Sequence, residues 1–95
     1  MSAYFIARVN VTDPEKYKDY TNVTPGVVKK YGGKFIVRAG KMVTLEGPEV
    51  TERIVVIEFS TLEMVKEFYN SEEYQEAKKL REGAAKTSFI AIEGA

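Results

Sequence analysis

The chain has no cysteine. It can form no disulfide, offers no thiolate nucleophile and holds no metal through sulfur. It has no histidine either. The usual general base and the usual protein ligand for zinc or haem iron are therefore missing. There is no excess of charge, because fourteen Lys and Arg balance fourteen Asp and Glu. A general DNA- or RNA-binding role would lack the basic footprint that supplies much of such affinity. No apolar run approaches the ~20 residues that span a bilayer. The start, Met1-Ser2-Ala3-Tyr4, lacks the basic and apolar regions of a signal peptide. The expectation is a soluble cytoplasmic protein with no cofactor, no metal, no nucleic acid and no membrane partner.

What is present is an ordinary globular composition, 44% hydrophobic and 29% charged. Residues 1–95 read as a single domain. A chain of this size has a thin core. The strongest strand signal is Arg53-Ile54-Val55-Val56-Ile57-Glu58-Phe59, a β-branched run ending in an aromatic. It feeds the clearest helix start, Ser60 three residues before Glu63.

In chain order, Tyr4 to Val11 reads as a first strand, with Phe5, Ala7 and Val9 on one face and Tyr4, Ile6 and Arg8 on the other. A helix follows. Thr12 with Glu15, or Asp13 with Pro14 at the first position, can cap it. Tyr17, Tyr20 and Val23 fall on one stripe. Thr24-Pro25-Gly26 is expected to interrupt the helix, with Thr24 as a new cap, and Gly32-Gly33 to end it. Lys34 to Ala39 reads as a second strand, bent or bulged at Gly40 and extended again from Met42 to Leu45. Glu46-Gly47-Pro48 turns the chain back to the central strand. Leu62, Val65, Phe68 and Tyr69 have helical spacing. Ser71 starts a further segment bearing Tyr74, Ala77 and Leu80, and Gly83 ends it. Thr87 to Glu93 is the last strand.

The order is strand, helix, strand, strand, helix, strand. This is the α+β, ferredoxin-like βαββαβ arrangement, an antiparallel sheet with helices on one face. The other sheet face is also apolar: Ile6, Ile54, Val56, Ile90 and Ile92 all point to it. No residues remain to build a third long helix over it. A second copy is the economical cover, giving a homodimer through the sheet face. Each Val or Ile so buried would contribute roughly 1.5–3 kcal/mol relative to exposure.

A family resemblance accompanies this pattern. It rests on Val11-Thr12-Asp13-Pro14-Glu15-Lys16-Tyr17, Tyr31-Gly32-Gly33-Lys34-Phe35-Ile36-Val37-Arg38-Ala39-Gly40 and Leu45-Glu46-Gly47. It continues through Val56-Ile57-Glu58-Phe59, Ser71-Glu72-Glu73-Tyr74-Gln75 and Leu80-Arg81. On these segments the chain resembles the DUF1330 family, small proteins of the dimeric α+β barrel superfamily. The resemblance implies a ferredoxin-like protomer that pairs through its sheets. The superfamily includes antibiotic-biosynthesis-type monooxygenases, haem-degrading enzymes, muconolactone isomerase-like proteins and stress-responsive barrel proteins. The family commonly has glycine where Ala39 stands, so no glycine-dependent bend is assumed there.

The polar residues expected to converge are Arg38, Glu58, Tyr69, Tyr74 and Arg81, with Tyr17, Tyr20 and Tyr31 nearby. Glu58 sits inside an apolar strand on the face of Ile54 and Val56. A carboxylate there needs a partner, a proton or water. Arg38 on the neighbouring strand is the expected partner. One reading makes Arg38 an anion clamp and Glu58 a base, the candidate catalytic residues; the other makes them a structural ion pair. Arg81 ends a helix, where its charge suits the dipole, or holds an anionic ligand between helix and sheet. Tyr69 and Tyr74 line a pocket or pack at the edge of the core. No dinucleotide fingerprint, P-loop or metal-ligand spacing occurs.

Two functions compete. One is a dimeric barrel that binds a small, partly apolar or anionic molecule. The other is a cofactor-independent enzyme of the monooxygenase or isomerase type, an idea that the resemblance supplies.

Overall fold

The structure is a computed structural model, and it describes residues 2–95. Four strands form one sheet: β1 (Ala3–Val11), β2 (Lys34–Arg38), β3 (Arg53–Phe59) and β4 (Ala85–Glu93). Their order is β2-β3-β1-β4, and every neighbouring pair is antiparallel. Among the described residues three helices, α1 (Pro14–Lys30), α2 (Leu62–Asn70) and α3 (Glu72–Lys79), accompany the sheet. This is the expected α+β ferredoxin-like arrangement.

Alternation along the strands decides the layers. Ala3, Phe5, Ala7 and Val9 of β1 are buried, as are Val55, Ile57 and Phe59 of β3. Against them pack Tyr17, Tyr20, Val27 and Val28 of α1, Val65 and Phe68 of α2, and Tyr74 and Ala77 of α3. The opposite face carries Ile6, Ile54 and Val56, only half-buried, and the exposed Ile90 and Ile92.

Asp13 caps α1, its carboxylate accepting from the Lys16 amide at 3.2 Å, with Pro14 just inside the first turn. Thr12 and Asp13 also donate their amides to the carbonyl of buried Ala84, pinning the helix start to the turn that leads into β4. The expected break at Pro25 does not occur. α1 runs through it, and the Thr24 hydroxyl donates back to the Tyr20 carbonyl at 3.2 Å rather than capping a new helix. Burial of Tyr20, Thr24, Val27 and Val28 along one stripe outweighs the missing proline donor. Thr61, not Ser60, caps α2, accepting from the Met64 amide at 3.1 Å. Ser71 closes α2 by donating to the Phe68 carbonyl and opens α3 by accepting from the Tyr74 amide.

The second strand differs most from expectation. Its irregularity lies between Phe35 and Val37, not at Gly40. Phe35 pairs with Ile57 and Val37 with Val56, leaving Ile36 as the extra residue of a β-bulge. Met42 to Leu45 form no strand; residues 39–52 are an irregular connection. Ala39 begins it with a positive φ of 52°. The connection lies against the outer sheet face, where Met42, Val43, Leu45 and Val50 border a hollow with Ile6, Arg8 and Ile54.

Candidate functional site

The bulge decides where the site lies. Had β2 alternated without it, Arg38 would share the outer face with Glu58. The extra residue shifts Arg38 opposite Val55, whose side chain faces the helices. The expected Arg38–Glu58 pair therefore does not form: the two side chains belong to opposite faces. Glu58 stays on the outer face, across from Lys34 on one side and Tyr4 on the other. The Tyr4 hydroxyl approaches its carboxylate at 3.4 Å. Arg38 lies over the Phe35 ring, its guanidinium carbon 4.5 Å from the centroid.

On the helix side, α1, α3 and the sheet enclose a cavity of about 40 Å³. Its polar lining is Tyr17, Tyr20, Thr24, Tyr74, Arg38 and Arg53. Phe5, Ala7 and Val9 form part of the apolar wall. Arg38 is solvent-exposed and marks the mouth. Tyr20 and Tyr74 reach in from α1 and α3, and their hydroxyls meet at 2.7 Å. Burial, reinforced by the neighbouring Tyr74 phenol, pushes the Tyr20 pKa far above its ordinary value. Burial also raises the Tyr17 pKa, against the pull of Arg53 and Arg81.

Arg81, just beyond α3, does not line the cavity but packs on two rings of its wall, Tyr20 and Phe89. It is buried, with its guanidinium carbon 5.3 Å from the centroid of Tyr20 and 5.0 Å from that of Phe89. Its hydrogen bond to Thr87 Oγ1 is long, at 3.5 Å. The Nε groups of Arg53 and Arg81 are buried and meet no hydrogen-bond partner among the described residues. No Asp or Glu lines the cavity. It is thus a largely apolar chamber whose polar groups are hydroxyls and cations.

Of the residues expected from sequence, Tyr74 and Arg81 come together at Tyr20, and Arg38 stands at the mouth. Tyr69 lies one ring away, 5.1 Å from Tyr74, but lines a separate groove between α2 and β4 with Val65 and Phe89. Tyr31 turns to Glu73 instead, donating its hydroxyl at 3.2 Å. Arg53 was missed, although a signal existed: it shares the inward alternation of Val55, Ile57 and Phe59. Among the described residues, no cluster of His, Cys, Asp and Glu could hold a metal ion. No helix among them is long and apolar enough to cross a membrane.

A family model described as a domain of unknown function, DUF1330, matches residues 2–95. No curated protein matches the chain. Solved structures do. A protein of unknown function from Rhodopseudomonas palustris is 19% identical over 99% of this chain and 82% of its own, with a TM-score of 0.79. SnoaB, a cofactor-independent oxygenase from Streptomyces nogalater, is 8% identical over 99% of this chain and 93% of its own, with a TM-score of 0.70. A dimeric protein of unknown function and ferredoxin-like fold from Bacteroides fragilis is 16% identical over 98% and 96%, with a TM-score of 0.65. At these identities the likeness is one of fold.

Proposed function

The chain belongs to the DUF1330 family, and from that premise we propose that its helix-side cavity is a small-molecule site. The carrying observation is the enclosed chamber where Tyr17, Tyr20 and Tyr74 converge beside Arg38 and Arg53. Concave, mostly apolar chambers with a few polar groups are the usual form of such sites. Glu58 takes no part, because it lies on the other face of the sheet.

The proposed assembly is a homodimer joined through the outer face into a barrel. Ile90 and Ile92 there are 57% and 52% exposed, beside half-buried Ile6, Ile54 and Val56. An apolar patch of that kind on a sheet calls for cover. The dimeric Bacteroides fragilis protein of similar fold supports this reading. Native mass spectrometry of freshly purified protein tests assembly and ligand together. A dimer carrying a reproducible extra mass is expected. A clean monomer at all concentrations would sink the dimer.

Between passive binding and chemistry, the likeness to SnoaB over nearly the whole chain favours chemistry. The reading is a cofactor-independent oxygenase. An acidic methylene group of the substrate releases a proton to water; the resulting carbanion adds O2 and takes a proton back from water, and the hydroperoxide then loses water and leaves a carbonyl. The substrate supplies the electrons. Arg38 and Arg53 favour its anionic form and hold the developing charge. Oxygen uptake with a panel of phenols and acidic methylene compounds, without added cofactor, is the test. Uptake lost in Arg53→Gln is expected. Its absence across the panel would leave binding alone.

A further inference from the structure

Beside the tyrosine chamber lies a larger groove, and two periodicities build its walls. On α2, Val65 and Tyr69 are one turn apart, as are Lys66 and Asn70, and all four line the groove. On β4, Thr87, Phe89 and Ala91 fall at alternate positions and line the facing wall. Phe5 closes the back, directly across from Ala91. β4 is an edge strand that the helices leave open: Thr87 and Ala91 are exposed, although they alternate in phase with half-buried Phe89. The groove measures about 410 Å³, within the range of small-molecule pockets. Benzene occupies an engineered cavity of ~150 Å³, so this groove has room for two rings.

We propose that this groove is a second binding site, for a fused-ring aromatic anion. The site goes beyond the chamber and does not rest on it. Its wall is aromatic: the Phe5 and Phe89 centroids are 5.0 Å apart, and Tyr69 meets Phe89 edge-on at 6.4 Å. A flat ring joins such a cluster by offset stacking or edge contact. Ala91 keeps the floor open, because a larger side chain across from Phe5 would fill it. Charge sets the sign of the ligand. Among the described residues no Asp or Glu lines the groove, whereas Lys66 does. Lys78 stands by Tyr69, its Nζ donating to the hydroxyl at 3.3 Å and lying 5.5 Å from the ring centroid. Lys66 pairs with Glu63 at 3.5 Å, but both partners are exposed. Such a pair is worth little, so the Lys66 ammonium is free to turn to a ligand. Thr87 and Asn70 add neutral hydrogen-bonding groups.

The test is a titration of the isotope-labelled full chain with naphthoate, naphthamide and decanoate, followed by NMR. Naphthoate is expected to shift the Val65 and Ala91 methyls and the Tyr69 ring more than the Tyr17 and Tyr20 rings of the chamber. It should bind roughly threefold more tightly than naphthamide, the scale of an exposed charge pair, and Lys66→Gln should erase that difference. Ala91→Leu should weaken naphthoate roughly tenfold by filling the floor. Both residues are exposed, so neither variant threatens the fold. Equal binding of naphthoate and naphthamide would overturn the anionic ligand. Tighter decanoate would overturn the aromatic one in favour of an acyl chain. Shifts greatest at Tyr17 and Tyr20, untouched by Ala91→Leu, would overturn the groove and give the ligand to the chamber. No shift with any probe would overturn the groove as a site for this class of ligand, whatever the chamber binds.

Discussion

Tyr20 and Tyr74 meet hydroxyl to hydroxyl, 2.7 Å apart, inside the core. They belong to α1 and α3, and the bond ties the two helices across the chamber. A buried hydroxyl whose partner is removed bears the full desolvation cost, about 1–3 kcal/mol. Tyr20→Phe and Tyr74→Phe should each destabilise by that amount. The double variant should cost less than the sum, because no orphan hydroxyl remains. Denaturant unfolding of the four proteins measures this cycle. Strict additivity would mean that the two phenols do not depend on each other.

The same pair predicts an alkaline limit. Burial, then the adjacent Tyr74, raises the Tyr20 pKa above its ordinary 10.0. In the unfolded chain this phenol ionises near ~10. Above that pH the unfolded state binds fewer protons than the folded one, so stability is intact below it and falls as pH rises beyond it. Tyr17, raised chiefly by burial, adds to the effect. The denaturation midpoint should fall above about pH 10, and Tyr20→Phe should flatten the fall. Phenolate absorbance should show some tyrosines ionising only as the chain unfolds. A midpoint insensitive to alkali would contradict the burial of these phenols.

The layers were legible in the sequence because alternation is a two-residue signal, and β1 and β3 keep it throughout. The face of Arg38 was not. It depends on one extra residue at Ile36, and nothing in Phe35-Ile36-Val37 marks a bulge: no glycine, no proline, three strand formers. One slipped position moves a side chain through the sheet. Hence the Arg38–Glu58 pair was expected and does not exist. Arg53 could have been found, as an arginine in phase with Val55, Ile57 and Phe59. The continuity of α1 could not be read locally, since Pro25 argues for a break and only the packing of Tyr20, Val27 and Val28 argues against it.

Ala39 offers a stabilising change. Its φ of 52° is in the left-handed region, and it is the one non-glycine residue with positive φ among those described. That conformation costs about 1–2 kcal/mol for a residue with a Cβ. Glycine removes this cost but frees the unfolded chain by about 0.4–1 kcal/mol. Ala39→Gly should therefore stabilise by roughly 0.5 kcal/mol on balance. Calorimetry should show Tm rising by a few degrees, since 1 kcal/mol is worth ~4–8 °C at this size. A lower Tm would mean that Ala39 is not held left-handed in solution.

Gly33 offers the reverse. It follows α1 and leads into β2, and its amide donates to the Val28 carbonyl at 2.9 Å. A Cβ built on it would lie 2.8 Å from two Phe59 ring carbons and 2.8 Å from Val28 Cγ1. Neither neighbour can yield easily. Phe59 is almost fully buried and packs 5.2 Å from the Phe68 ring, while Val28 is locked in the same core. Gly33→Ala should destabilise by about 1–3 kcal/mol through overpacking. Gly32→Ala should also destabilise, but for another reason: its φ is +77° and its Cβ would meet open space. The two causes separate in a double variant. Phe59→Leu makes room beside Gly33 but not beside Gly32. Added to Gly33→Ala it should cost less than the sum of the single changes; added to Gly32→Ala it should simply add. Simple addition in both cases would show that Gly33 does not stand against the Phe59 ring.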